Sequence, residues 1–360
     1  MKKKVCFISH SPPEELGGVS IYYQNLLNYL KDKDLNITWT YSSNQNYKYS
    51  KKKIHYVELK QGKFLKYFEN NFGIRKFLKE NKFDIVFTTG GPWTWFYNKP
   101  INQKLMQIFH GTVYYFNKNH LKQFNLFERV LCSPLLLISW LVEKPHKKVD
   151  KIICVSNKVK KQVKNLYGKQ NIQVIRTGVN LNEFKPREMP KTDKLYGLYI
   201  GGGGYWTKGL DKAIDLSREI YKLNNNYRLV VIGPDEEKVS DLIDKEFVIF
   251  LKDVPRGKMK HYYNLCDFFI ITSRYEGGAP TLTTSEAMAS GCLVACSKDS
   301  EQEIIKNNIN GLIIDKFDKQ DAKRILNNVE NKEIIKNSLN TIKKLSLENW
   351  SNEYFKLLNL

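Results

Sequence analysis

The apolar positions fall into short unbroken runs, separated by segments where they recur every three or four residues. Residues 4–9 (KVCFIS) form the first run. Residues 19–30 follow, with Ile21, Leu26, Leu27 and Leu30 on one side of an amphipathic helix. Runs at 36–41, 85–89, 104–109 and 151–155 read as further strands, with a helix over 64–80. Strands that are apolar throughout and alternate with helices predict a parallel sheet covered on both faces.

The series then begins again. Strands are expected at 195–200, 228–232, 247–251, 268–272 and 293–296, and helices at 210–223, 285–290, 301–306 and 321–329. The fold class is therefore α/β, two Rossmann-like doubly wound units in tandem. The boundary is placed in 182–194 (NEFKPREMPKTDK), which has two prolines, seven charges and no apolar run. One segment breaks the rhythm. Residues 126–142 (LFERVLCSPLLLISWLV) are uncharged over 130–140 and contain Pro134. The stretch is too short to span a bilayer. It reads either as a buried helix of the first domain or as a helix touching a membrane near a basic face.

Composition supports folded domains. Hydrophobic residues make up 42% of the 360, enough for two cores. Lysines 2–4 lead into an apolar run too short for a signal peptide, followed by Pro12 and Pro13. The six cysteines form no CxxC pair, and most sit in apolar runs, which predicts reduced, buried thiols of a cytosolic protein. Charge is unevenly placed. Of the net +21, residues 1–180 hold 31 Lys/Arg against 11 Asp/Glu, while 181–360 hold 27 against 26. A basic half beside a neutral one suggests a polyanionic partner, membrane lipid or nucleic acid. A general abundance of lysine along the chain is the plainer reading. No recognised nucleic-acid motif supports the second partner.

Three loops carry candidate chemistry. Gly17-Gly18-Val19-Ser20 opens a helix after the first strand, where bare backbone and free N–H groups can meet a ligand. It is not a G-x-G-x-x-G fingerprint. Gly201-Gly202-Gly203-Gly204-Tyr205-Trp206-Thr207-Lys208-Gly209 again joins a strand to a helix, and Lys208 can set a point charge against a diphosphate. The third runs from Ser273 to Gly291 after strand 268–272, on the carboxyl edge where open α/β sheets bind ligands. Glu276 sits in its glycine-rich turn, able to accept hydrogen bonds from sugar hydroxyls. Glu286 is placed in the first turn of the next helix, where a carboxylate can bridge a ribose diol or simply complement the helix dipole.

Together these strings resemble retaining GT-B glycosyltransferases of family 4, with their E-x7-E signature. His110-Gly111 after strand 104–109 resembles the family's His-Gly turn, and residues 174–184 (VIRTGVNLNEF) its entry to the second domain. Residues 310–314 (NGLII) resemble a family strand, and 347–358 with Trp350 a terminal helix that crosses back to the first domain. The likeness is sparse over 30–105 and dense over 174–315. It implies a GT-B fold, two domains facing across a cleft. Residues 1–182 would be a basic acceptor-binding domain, 183–340 a nucleotide-sugar-binding domain, and 341–360 the returning helix.

The resemblance also implies roles. Glu276 would contact the donor sugar, Glu286 the ribose and Lys208 the diphosphate. His110 would lie beside the reacting sugar, and Gly17 and Gly18 against phosphate or acceptor. Leu251 and Val254 would border the base. Gly203, Gly204, Gly277, Gly278, Ala279, Pro280, Thr281 and Leu282 complete the expected donor-binding set. Two departures stand out. Nine residues, not seven, separate Glu276 from Glu286. Gly203 occupies the place of the family's usual arginine, so Lys208 acts alone at the diphosphate or borrows a cation such as Arg274.

The expected reaction is retaining, metal-independent transfer of a hexose-type sugar by front-face attack. The donor would be a UDP-sugar in preference to a GDP-sugar, and no cofactor is expected. Asp32-Lys33-Asp34 has the Asp-x-Asp spacing of metal-dependent transferases but falls between a helix and the next strand, the wrong edge of the sheet. The acceptor would be a glycan or lipid-linked glycan of cell-surface polysaccharide, lipopolysaccharide or glycoprotein assembly. The enzyme would work in the cytoplasm at the inner face of an anionic membrane, without nucleic acid. The alternatives are a soluble transferase acting on a glucan or small metabolite, and a degenerate nucleotide-sugar-binding protein.

Overall fold

A computed structural model describes residues 2–9, 17–43, 54–60, 66–169, 171–186, 193–201, 204–233, 243–252 and 254–358. The chain divides into two compact units, Met1–Arg176 with Trp350–Leu360, and Thr177–Asn349.

The first unit runs β1 (Lys3–Ser9), α1 (Gly18–Leu30), β2 (Leu35–Ser43), β3 (Ile54–Lys60), α2 (Lys66–Asn81), β4 (Ile85–Thr88), β5 (Lys104–Phe109) and α3 (Val113–His120). It continues with α4 (Leu126–Cys132), α5 (Pro134–Glu143), β6 (Lys151–Cys154), α6 (Asn157–Tyr167) and β7 (Ile172–Val174). The strands form one parallel sheet in the order β3-β2-β1-β4-β5-β6-β7. The central strands are buried along most of their length, which is why they read as unbroken apolar runs. β3 and β7 were not expected. Both are edge strands, and their polar residues (IHYVELK and IQV) hide them among loop-like sequence.

The second unit runs β8 (Leu195–Ile200), α7 (Tyr205–Lys208), α8 (Leu210–Leu223), β9 (Tyr227–Gly233), β10 (Val248–Lys252), α9 (Met259–Leu265) and β11 (Phe268–Ile271). It ends with α10 (Leu282–Ala289), β12 (Leu293–Ser297), β13 (Leu312–Ile314), α11 (Lys319–Asn328) and α12 (Lys332–Lys343). Its parallel sheet has the order β10-β9-β8-β11-β12-β13. Side chains on a strand alternate between faces. Leu229, Val231, Phe268 and Ile270 enter one core, and Val230, Ile232, Phe269 and Ile271 the other. Both sheets reverse their order beside the first strand, between β1 and β4 and between β8 and β11. Ligands of doubly wound folds bind beyond the strand ends at that point.

Residues 301–306 are not the expected helix. Glu301 takes a left-handed φ of 44°, and the segment's groups pair with Asn310, which accepts from the Lys306 N–H at 2.7 Å and donates to the Ile304 carbonyl at 2.9 Å. By compactness the second unit begins at Thr177. Val179 pairs with the segment before α13 (Leu347–Leu358): its N–H donates to the Leu345 carbonyl, and its own carbonyl accepts from Leu347. Phe184 is buried against Tyr263. From Trp350 onward α13 belongs to the first unit. There Tyr354 shares a hydroxyl–hydroxyl hydrogen bond with Tyr22 of α1, and Trp350 meets the Tyr22 ring edge-on at 4.7 Å. All six cysteines are free, and only Cys132 is partly exposed.

Candidate functional site

In the second unit, the loops that follow β8 and β11 flank the point where the sheet reverses. They are stitched together at Gly209. Its φ is +69°, and a Cβ there would lie 2.1 Å from the Thr272 carbonyl oxygen. The Thr272 hydroxyl donates to the Gly209 carbonyl at 2.6 Å, and the Arg274 N–H to the Thr207 carbonyl at 2.9 Å. This seam brings Lys208 and Glu276 together, 68 positions apart, with Nζ 2.6 Å from Oε1. Neither is sealed: the two side chains keep 32% and 14% of their exposure. A cation and a carboxylate thus share one accessible point beside the N-terminus of α8.

Arg274, the expected substitute cation, is engaged elsewhere. It makes a two-pronged ion pair with Asp211, donates to the Trp206 carbonyl at 2.6 Å and lies over the Trp206 ring. Asp211 neutralises its charge, so its evident role is to brace the Lys208 loop. Gly204 is exposed, with a φ of +82°; Gly203 lies outside the described residues.

The Glu276 loop is held at several points. Gly278 has a φ of +77° and its carbonyl accepts from the Glu303 N–H. The Thr281 N–H donates to Gln302 Oε1 at 3.0 Å. Gly277, Ala279 and Leu282 are half-buried in this loop, and Pro280 is buried. Thr281 also caps α10, its hydroxyl accepting from the Thr284 N–H at 3.1 Å. The cap starts α10 at Leu282 rather than 285, so Glu286 lies in the second turn and not the first. Dipole complementarity therefore does not explain it.

Glu286 is 1% exposed. Arg256 grips both its oxygens, and the Tyr263 hydroxyl donates to Oε2 at 2.9 Å. Burial pushes its carboxyl up from the ordinary range, against the opposing pull of Arg256 and Tyr263. Arg256 in turn lies 5.0 Å over the Phe184 ring. Sequence reasoning missed Arg256 and Tyr263. No spacing marks them; the one available signal was that a carboxylate buried in a helix needs a cation. Leu251 at the end of β10 and Val254 beyond it pack on the same core, near Arg256 in sequence.

In the first unit, Gly17 and Gly18 open α1, and a Cβ on either would meet no atom of the described residues within 4 Å. His110 follows β5. Its ring meets Tyr22 at 4.5 Å in a perpendicular contact, so α1 and α13 together brace it. Burial lowers its pKa to about 4, leaving a neutral imidazole at neutral pH. Its Nε2 is shielded and has no hydrogen-bond partner among the described residues. Three residues on, the Val113 N–H donates to Glu143 at 2.6 Å. Burial raises the Glu143 carboxyl to about 8, although the Val113 and Tyr114 N–H groups oppose it. Asp32 and Asp34 lie in the turn between α1 and β2, at the amino end of the strands. Among the described residues no three His, Cys, Asp or Glu side chains are grouped to hold a metal ion.

Two family models match: Glycosyltransferase Family 4 over residues 16–183, and Glycosyl transferases group 1 over residues 182–345. An uncharacterized glycosyltransferase of Methanocaldococcus jannaschii is 27% identical over 334 residues, 89% of this chain and 87% of that protein. Among solved structures, sucrose-phosphate synthase from Thermosynechococcus elongatus superposes with a TM-score of 0.80 at 16% identity, covering 99% of this chain and 98% of that one. HepE from Anabaena, solved with UDP-glucose, gives a TM-score of 0.72 at 14% identity, with 99% of each chain covered. With consecutive family models spanning residues 16–345 and the fold shared along nearly the whole length, the chain belongs to glycosyltransferase family 4, has the GT-B fold and is a glycosyltransferase.

Proposed function

We propose that the enzyme transfers a hexose-type sugar from a nucleoside-diphosphate sugar, UDP in preference to GDP, with retention at the anomeric carbon and without a metal ion. The observation that carries this reading is the Lys208–Glu276 pair at the reversal point of the second sheet. The donor divides the pair. Lys208 turns to the diphosphate and neutralises the charge that grows as the sugar–phosphate bond breaks, helped by the N-terminus of α8. Glu276 is released to accept hydrogen bonds from the sugar hydroxyls. The turn from Gly277 to Leu282 lines the donor, and Leu251 and Val254 border the base. Gly17 and Gly18 face phosphate or acceptor. His110 lies beside the reacting sugar as a neutral imidazole. The crystallised complex of HepE with UDP-glucose supports UDP as the nucleotide.

The acceptor in this reading is a glycan or lipid-linked glycan of surface polysaccharide, lipopolysaccharide or glycoprotein assembly. The strongly basic half, 31 Lys/Arg against 11 Asp/Glu over residues 1–180, contacts the anionic inner face of the cell membrane. Turnover of UDP-glucose by Lys208→Ala tests the site. Losing a donor aimed at developing charge lowers turnover by about 10²–10³. Undiminished turnover, or an inverted anomeric proton signal in the product, would contradict the mechanism.

A further inference from the structure

α4 and α5 are built inside out. α4 (LFERVLC) has no buried residue at all, and the one buried residue of α5 (PLLLISWLVE) is the polar Ser139. Leu126 is 79% exposed, Phe127 72%, and Val130, Leu131, Leu137 and Ile138 are all more than half exposed. A soluble helix turns such residues toward a core. A patch of this kind on a monomer marks an interaction surface.

The presentation is firmly held. Ser133 keeps a helical φ of −57° before Pro134, so the two helices form one kinked run. The polar side of α5 is tied down: Asn117 donates to Ser139 Oγ at 2.7 Å, and Trp140 Nε1 to the Leu166 carbonyl at 3.0 Å. Trp95 Nε1 also donates to the Leu141 carbonyl at 3.1 Å. The apolar side is left facing outward.

The charges around it choose the partner. Lys118, Lys122, Arg129, Lys144, Lys147 and Lys148 are all exposed in the sequence on either side of the patch or within it. The two carboxylates of the same stretch are occupied, Glu128 by the α4 capping box and Glu143 by the Val113 N–H. A second copy of the chain would bring the same cations against these. An anionic bilayer surface complements both the cations and the apolar side chains. No described helix is long and apolar enough to cross a membrane, so the run lies in the interface.

We infer that α4–α5 is the element that docks this enzyme on an anionic membrane, inserting Leu126, Phe127, Val130, Leu131, Leu137 and Ile138 among the lipid headgroups and acyl chains. The inference rests on the proposed membrane contact and deepens it. Charge alone would give a contact that salt dissolves; apolar insertion leaves a part that salt does not screen.

Flotation with vesicles of phosphatidylcholine and phosphatidylglycerol, against phosphatidylcholine alone, tests it at about 0.1 and 0.5 M salt. The wild type is expected to float with the anionic vesicles and to retain part of its binding at the higher salt. The variant Phe127→Gln/Val130→Gln/Leu131→Gln/Leu137→Gln changes only exposed side chains, so its thermal unfolding and donor hydrolysis stay at wild-type values. It is expected to lose at least about tenfold in vesicle affinity and all salt-resistant binding. If the variant floats like the wild type, the inference falls and the membrane contact stands. If the wild type floats with neither vesicle, both fall. A wild-type dimer that the variant turns into a monomer, without flotation, would assign the patch to self-association and overturn the inference.

Discussion

At the scale of single residues, three positions show physical necessity directly. Gly209 must be glycine, because left-handed backbone and the nearby Thr272 carbonyl both exclude a side chain. Gly209→Ala should destabilise the second unit by more than the ~1–2 kcal/mol of a left-handed alanine, since the clash adds to it. Gly257→Ala, with open space around it and an ordinary φ, should melt like the wild type. Arg256 is the counter-charge of a buried carboxylate. Arg256→Met should cost about 3 kcal/mol, the lower end for broken buried pairs because Arg256 keeps 31% of its exposure. Adding Glu286→Gln should restore most of that loss in the same melt; no recovery would mean that Arg256 acts through packing on Phe184. Glu143 makes a prediction in pH. Its folded pKa is raised to about 8, above its ordinary value of 4.5. Between those values the folded state holds a proton that the unfolded state has released, so stability falls as pH rises across that window. Glu143→Gln should remove this component from the pH dependence of the melting temperature. An unchanged slope would place its titration elsewhere.

At the scale of elements, what was legible followed burial. β5, β8, α8 and α13 lie where the apolar pattern or the family resemblance puts them, because each presents a continuous or strictly periodic apolar face. Edge strands β3 and β7, with polar residues interspersed, carry no such signal. The start of α10 was misread because its first turn, Leu282-Thr283-Thr284, looks like loop; the Thr281 cap that begins it is a hydroxyl at a position where sequence offers many hydroxyls. Lys208 and Glu276 stood out as candidates because each lies in a glycine-rich loop at the carboxyl end of a strand, and folding brings the two within hydrogen-bond reach. Arg256 did not stand out, since its reason for being there is a contact made only after folding. The residue pattern left α4–α5 open between a core helix and a membrane helix, and exposure decides against the core. α13 yields a test of its own. It supplies Trp350, Tyr354, Leu357 and Leu358 to the core of the first unit. Tyr354→Ala removes a buried ring and the partner of the Tyr22 hydroxyl, and should destabilise that unit by about 3–5 kcal/mol. Because Tyr22 also carries the His110 ring, transfer should slow as well.

At the scale of the whole molecule, two parallel sheets with the same reversal of strand order carry different side chains. The second unit is electrically balanced and holds the cation–carboxylate pair; the first holds most of the excess positive charge, the neutral imidazole of His110 and the outward apolar helices. This division is the basis for the proposed donor half and acceptor half. In the proposed reaction the second unit binds the nucleotide-sugar through Lys208 and Glu276. Thermal shift and donor hydrolysis with a panel of UDP- and GDP-sugars, run on the wild type and on Glu276→Ala, test it most directly. The account predicts that a UDP-sugar raises the melting temperature and is slowly hydrolysed by the wild type, and that Glu276→Ala loses hydrolysis and most of the sugar-dependent stabilisation. Absence of stabilisation by any donor, together with a Glu276→Ala variant that behaves as the wild type, would contradict it.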